Sequence, residues 1–87
     1  MEYLIAVRYI SGYMLELTFN NGVTGRVDLS GELTGRLFEP LRDVSEFRKV
    51  RVEPDLGTIV WPNGADIAPD YLYELMQSQE HAVGIGR

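Results

Sequence analysis

The sequence predicts an α+β domain with a mainly antiparallel sheet of about five strands, one short helical turn and one C-terminal helix. Three observations support this fold class. Apolar and polar residues alternate with a period of two over residues 3–29, which is typical of half-buried strands. A second hairpin pattern occupies residues 48–61. Apolar residues then recur with helical spacing at Leu72, Leu75 and Met76.

Tyr3–Ile10 is the first predicted strand of a three-strand meander. Its odd positions form the better core face, because Arg8 falls on the even face. A turn follows at Ser11-Gly12. We expect a three-residue loop there that sets Tyr9 opposite Tyr13.

Side-chain parity determines the loop between the second and third strands. Opposed residues in a hairpin must point to the same face, and a three-residue loop at residues 20–22 meets this condition by placing Phe19 opposite Val23. The glycine that ends this loop is predicted to be left-handed. The same register places Glu16 opposite Arg26 as a favourable pair on the solvent face.

The middle of the chain predicts a helical turn and a second hairpin. Asp43 is suited to cap a turn over residues 43–47, with Glu46 three positions later. Strands are expected at residues 48–53 and 58–61, around a four-residue turn. The inner face of this hairpin is predicted to carry four apolar residues, Val50, Val52, Ile59 and Trp61.

The C-terminal segment predicts one helix that begins at Pro69. The first helical position does not need the N–H that proline lacks, and Asp70 in the first turn complements the helix dipole. The apolar stripe is short, so we expect the helix to end near Gln79. Residues 1–80 are then a single domain, and residues 81–87 are a flexible C-terminal tail.

Composition excludes several chemistries. The chain has no cysteine, one histidine, and thirteen acidic against eight basic residues, for a net charge of −5. A disulfide framework, a thiol nucleophile and a multi-histidine metal site are therefore excluded, and no phosphate-binding glycine loop is present. We expect no catalytic residues, no metal and no cofactor. No membrane span or secretory signal is apparent, which favours a cytoplasmic, bacterial-type protein.

Four of the eight basic residues lie within ten positions: Arg42, Arg48, Lys49 and Arg51. Such a patch is suited to contact phosphate or an acidic protein. The alternative is that these residues form an ordinary solvent-exposed face without a binding role, because acidic residues interleave with these four and the whole chain is acidic. We therefore expect no direct nucleic-acid contact.

Candidate binding residues cluster in the segment 61–70. Trp61 is suited either to anchor a ligand or to close the core at the end of a strand. Asp66 and Asp70 flank the predicted helix start, where paired carboxylates can do acid–base work or hold a metal. The alternative is that Asp66 caps backbone N–H groups and Asp70 serves the helix dipole. Asn63 lies in the tight turn between Trp61 and Asp66.

This segment reads Trp-Pro-Asn-Gly-Ala-Asp-Ile-Ala-Pro-Asp and resembles the signature of a bacterial domain-of-unknown-function family numbered 2442. Residues 15–22, 27–29, 38–43 and 57–61 also resemble that family, so the likeness covers residues 3–76. The resemblance implies a small α+β domain without catalytic residues to carry over. Some members carry an added helix-turn-helix, and others lie beside a second small family in an arrangement resembling toxin–antitoxin pairs. Too few residues follow Met76 for a helix-turn-helix here.

We therefore expect a non-catalytic protein-interaction or regulatory module, such as one half of a toxin–antitoxin-like pair. Such a module would bind a protein partner or a second copy of the chain. The net negative charge suits a basic partner. The alternative is a small-ligand or nucleotide-binding domain that uses Trp61, Asn63, Asp66 and Asp70.

Overall fold

The computed structural model describes the backbone of residues 2–85 and the side chains of residues 2–80. Within these residues the fold is α+β, with two three-stranded antiparallel sheets and one long helix. The strands are β1 Leu4–Ser11, β2 Met14–Phe19, β3 Thr24–Asp28, β4 Arg51–Glu53, β5 Thr58–Val60 and β6 Asp66–Ile67. The helical segments are 3₁₀ turns at Ser30–Glu32 and Glu39–Arg42, α1 Val44–Phe47 and α2 Pro69–Ile85.

The predicted fold class is confirmed, but the strand count is six in two sheets rather than about five in one. The sheet orders are β1-β2-β3 and β4-β5-β6. The additional strand, β6, has only two residues, which is too short for an alternation pattern to be visible. It forms because the chain reverses after Trp61 and places Ile67 opposite Ile59.

The hairpin between β2 and β3 has the predicted register. Leu15 lies opposite Val27, and the N–H of Phe19 donates to the carbonyl of Val23 at 2.9 Å. Gly22 ends the three-residue loop with φ +89°, in the left-handed region that this loop requires.

Glu16 lies opposite Arg26 as predicted, but its ion pair is made with Arg8 on β1 (3.0 Å). The predicted cross-strand position of Glu16 is therefore confirmed, while its ion pair is formed with the arginine on the other side. Glu16 lies on the central strand and has an arginine opposite it on each side, and the sequence does not show which one it meets.

The turn between β1 and β2 differs from the prediction. Tyr9 lies opposite Leu15 and Ser11 opposite Met14, so the loop has two residues and Tyr13 is one of them. An irregularity in the ladder between Tyr9 and Ser11 inserts one residue and shifts the register.

A second irregularity, between Leu4 and Ala6, reverses the predicted core face at the start of β1. Leu4 is buried opposite Phe19, whereas Ile5 is 58% exposed and Tyr3 is 48% exposed. A bulge adds one residue to one strand, so the inward parity changes at that point.

Helix α1 has the predicted cap, since the Asp43 carboxylate accepts a hydrogen bond from the N–H of Ser45 (3.0 Å). The next strand begins at Arg51 rather than at Arg48. Backbone N–H groups of residues 48–50 still bond to carbonyl groups of α1, so this stretch completes the helical turn before the strand starts.

Helix α2 begins at Pro69 as predicted but continues to Ile85, so the predicted end near Gln79 is wrong. The Gln79 amide bonds to both the N–H and the carbonyl of Asp28 on β3, each at 2.9 Å. The helix therefore still contacts the sheet at the end of its apolar stripe. The predicted tail, residues 81–87, lies outside the side chains that the structure describes.

The core lies between the two sheets and α2. The two sheets are joined where the N–H of Leu4 donates to the carbonyl of Gly57 (2.9 Å). The inner face of the second hairpin is as predicted, with Ile59 and Trp61 buried and Val50 and Val52 packed against the core. No helix within residues 2–85 is long and apolar enough to cross a bilayer.

Candidate functional site

Trp61 belongs to the core. Its side chain is only 2% exposed, and its indole N–H donates to the carbonyl of Phe47 (2.9 Å). The rings of Phe38 and Phe47 lie 6.1 and 5.8 Å from it, measured between centroids. A buried indole with its donor satisfied is suited to closing the end of a sheet rather than to gripping a ligand.

Asn63 holds the turn of the signature segment together. Its amide NH₂ donates to the carbonyl of Leu37 (2.8 Å), and its side-chain oxygen accepts from the N–H of Ala65 (3.0 Å). From the sequence this backbone role is expected of Asp66 as one alternative, whereas Asn63 is expected only as a binding candidate. The available signal was the Asn-Gly pair itself, because asparagine side chains commonly bond the backbone two residues on.

Asp66 and Asp70 do not form a site together. Asp66 is exposed on β6 and lies opposite Val60. Asp70, in the first turn of α2, lines a separate hollow with Glu2 and Glu74. Within residues 2–80 no group of three or more His, Cys, Asp or Glu side chains is placed to hold a metal ion.

Two residues of the predicted basic patch serve the fold. Arg42 is exposed, and its guanidinium donates a partly buried hydrogen bond to the carbonyl of Leu33 (2.9 Å). The Arg48 guanidinium lies 5.1 Å from the centre of the Tyr9 ring, a cation–π arrangement.

The other two basic residues pair with neighbouring acids. The Lys49 ammonium lies 3.0 Å from a Glu46 carboxylate oxygen, and the Arg51 guanidinium lies 3.7 Å from Glu53. Lys49 and Arg51 are thus paired with acids, whereas Arg42 and Arg48 are held by a carbonyl group and an aromatic ring and keep their positive charge.

A groove follows the outer face of the second sheet and passes between β4 and β6. We call it the β4–β6 groove. It is shallow, open to solvent and has a volume of about 610 Å³. Its lining residues are Arg51, Glu53, Asp55, Leu56, Val60, Trp61, Pro62, Gly64 and Asp66, so two of the predicted binding candidates, Trp61 and Asp66, lie along it.

Strand register explains the groove. Arg51 lies opposite Val60, and Val60 lies opposite Asp66, so the three residues form one row across the sheet. Residues that alternate with them, such as Ile59 and Ile67, point into the core. The row therefore lies on the outer face.

The groove combines an apolar strip with acidic groups. Leu56, at the β4–β5 turn, is 65% exposed, and Val60 is half-buried in the middle of the strip. Among residues 2–80 the carboxylates of Asp55 and Asp66 have no ion-pair or hydrogen-bond partner. Asp55, Leu56 and Val60 are not indicated as site residues by the sequence, because β6, which brings Asp66 beside Val60, has only two residues and shows no strand pattern.

Comparison with known proteins agrees with this fold. The chain is similar to the crystal structure of "Putative DNA Binding Protein NE0471" from Nitrosomonas europaea, with a TM-score of 0.83 and 23% sequence identity. The match covers 93% of this chain but 52% of the other, so the chain spans about half the length of that protein. No curated protein matches the chain.

The family described as "Protein of unknown function (DUF2442)" matches residues 4–78, which is most of the sequence. The resemblance inferred from the sequence is thereby confirmed. The chain belongs to the DUF2442 family.

Proposed function

We propose that this chain is a non-catalytic protein-interaction domain that binds a protein partner through the β4–β6 groove, as one half of a toxin–antitoxin-like pair. The observation that carries the proposal is the exposed apolar strip in the groove. Leu56 is the most exposed large apolar residue among residues 2–80, and it lines a concave surface with Val60 and Pro62. Protein interfaces combine such an apolar centre with a polar rim.

The use of the signature residues by the fold supports the same proposal. Trp61 is bonded to Phe47, and Asn63 is bonded to Leu37 and Ala65. These side chains stabilise the turn and the core. They leave the outer face of the second sheet as the surface that a partner can reach.

A small-ligand or nucleotide site at residues 61–70 is the less supported alternative. Trp61 and Asp66 both line the β4–β6 groove, but Trp61 is only 2% exposed, and Asp70 lines a different hollow. A small molecule bound at one of these hollows would not contact all four candidate residues.

Direct nucleic-acid binding is also less supported. The similar Nitrosomonas europaea protein has DNA binding in its name, but the shared fold covers 52% of that chain. In the present chain the clustered basic residues are held by Leu33, Tyr9, Glu46 and Glu53. A mobility-shift assay at physiological salt tests this point. Retardation of duplex DNA by the wild-type chain would contradict this part of the proposal.

The main test is co-expression with the product of the adjacent gene, followed by calorimetry on the purified pair. We expect a stable complex. The substitution Leu56→Ser should weaken it by about tenfold, because an anchor residue in an interface typically contributes at least 1–2 kcal/mol.

Leu37→Ser is the matched control, since Leu37 is also exposed (47%) but is not part of the groove lining. Equal effects of the two substitutions would remove the groove from the proposal. A chain that stays monomeric and does not bind its neighbour's product would refute the interaction function.

A further inference from the structure

We infer that the segment occupying the β4–β6 groove is cationic: an extended peptide of the partner that presents lysine or arginine two positions to either side of an apolar residue, on the same face. This inference rests on the proposed function and specifies the chemistry of the partner. It is carried by the position of the unpaired carboxylates relative to the apolar strip.

Asp66 lies at one side of the strip. Neighbouring strands are separated by about 4.8 Å, so β6 lies about 10 Å from β4 with β5 between them. The guanidinium of Arg51 reaches instead along β4 to Glu53 (3.7 Å). Val60 therefore lies between a paired arginine and an unpaired aspartate.

Asp55 lies at the turn end of the strip, next to the exposed Leu56. Its backbone N–H donates to the Glu53 carboxylate (3.2 Å). Its own carboxylate has no partner among the side chains that the structure describes. Unpaired acidic groups thus lie near both the turn end and the β6 side of the same apolar strip.

The sign of the charge on the bound segment follows from the desolvation of the two carboxylates. A segment that covers Leu56 and Val60 also removes water from the adjacent carboxylates of Asp55 and Asp66. Burying a carboxylate without a cation or hydrogen-bond donor is unfavourable, so a neutral or acidic segment is selected against. Lysine or arginine at the flanking positions restores the lost solvation and adds charge-assisted hydrogen bonds.

The net charge of the groove also favours a cationic segment. Among the groove residues three are acidic and one is basic, which leaves a local charge of −2 (Glu53, Asp55 and Asp66 against Arg51). The whole chain carries −5. The negative charge of the groove and that of the whole chain both favour association with a basic segment. Because salt screens this attraction, binding should weaken as salt is added.

The test uses three labelled peptides that place a valine and the residues two positions away on one face of an extended chain: Lys-Ser-Val-Ser-Lys, Ser-Ser-Val-Ser-Ser and Glu-Ser-Val-Ser-Glu. Fluorescence anisotropy at low and high salt measures affinity, and amide chemical shifts of the full chain locate the contact. We expect the lysine peptide to bind most tightly and to shift the amides of β4, β5 and β6.

Asp66→Asn should weaken binding of the lysine peptide about three- to fivefold, and the double variant with Asp55→Asn about tenfold, in keeping with partly exposed ion pairs. Asp70→Asn is the matched control. It removes the same charge from an exposed aspartate that does not line the groove, so binding should hardly change.

The outcomes separate this inference from the proposed function. If all three peptides shift the groove amides with equal affinity, the cationic partner is refuted while the groove remains the interaction surface. Equal weakening by Asp66→Asn and Asp70→Asn, or shifts that map away from the second sheet, also refutes the cationic partner. If no peptide binds, the inference fails, and the comparison of Leu56→Ser with Leu37→Ser decides on the groove independently.

Discussion

Replacement of Gly57 by alanine tests the junction that holds the two sheets together. Gly57 has φ +69°, and an added Cβ would lie 2.3 Å from the Cβ of Tyr3, whereas carbon atoms in contact are about 3.5–4.0 Å apart. Tyr3 cannot move away freely. Its N–H donates to the Asn20 side chain and its carbonyl accepts from the Asn20 N–H, each at 2.9 Å.

The size of the effect follows from comparison with Gly64. Gly64 also has a positive φ (+94°), but an added Cβ there has no atom within 4 Å. Gly64→Ala should therefore cost only the backbone strain, about 1–2 kcal/mol, reduced by the lower entropy of the unfolded chain. Gly57→Ala has the same strain plus the overlap with Tyr3, for which overpacking adds about 1–3 kcal/mol.

Urea unfolding, followed by the fluorescence of Trp61, measures both variants on the same scale. We expect Gly57→Ala to lose about 2–4 kcal/mol and Gly64→Ala about 1 kcal/mol of unfolding free energy. If both variants lose the same amount within the error of the linear extrapolation, the contact between Gly57 and Tyr3 is not as described. The position of the adjacent Leu56 turn would then also need revision.

Two further predictions concern the signature turn and a surface tyrosine. Asn63→Ala should lower the free energy of unfolding by about 1–2 kcal/mol, because two hydrogen bonds are lost, and should leave the affinity for the lysine peptide unchanged. Thermal denaturation and anisotropy check this, and lost affinity at unchanged stability would show a binding role instead. The Tyr71 hydroxyl donates to the Glu32 carboxylate, which raises the pKa of Tyr71 above its ordinary value. The resulting stabilisation is complete below the usual tyrosine pKa of about 10 and is lost as the pH rises through the higher pKa of the folded chain. Glu32→Gln should therefore make Tyr71 ionise at lower pH in a tyrosinate absorbance titration, and an unchanged titration would contradict the assigned bond.

Local sequence patterns were sufficient where a single rule governed the outcome. The parity of Phe19 and Val23 determined a loop length, Asp43 determined a helix cap, and Pro69 determined where α2 begins. Each of these depends on residues close together in the chain. The structure confirms them because no distant contact overrides them.

The start of β1 shows where such patterns are insufficient. Leu4, Ile5, Ala6 and Val7 are all apolar, so the alternation that would reveal a bulge is missing. The structure resolves the ambiguity through Leu4, which is buried and bonded to Gly57 in the other sheet. Parity in this stretch depends on a partner more than fifty residues away.

By itself the sequence determined the α+β class, the family and the identity of the signature residues. Only the tertiary structure decided which way those residues face. Trp61 turns inward to Phe47, Asn63 bonds to Leu37 at the surface, and Asp66 remains on the outer face beside Val60. The physical reason is that strand pairing, rather than local periodicity, sets which distant side chains share a face.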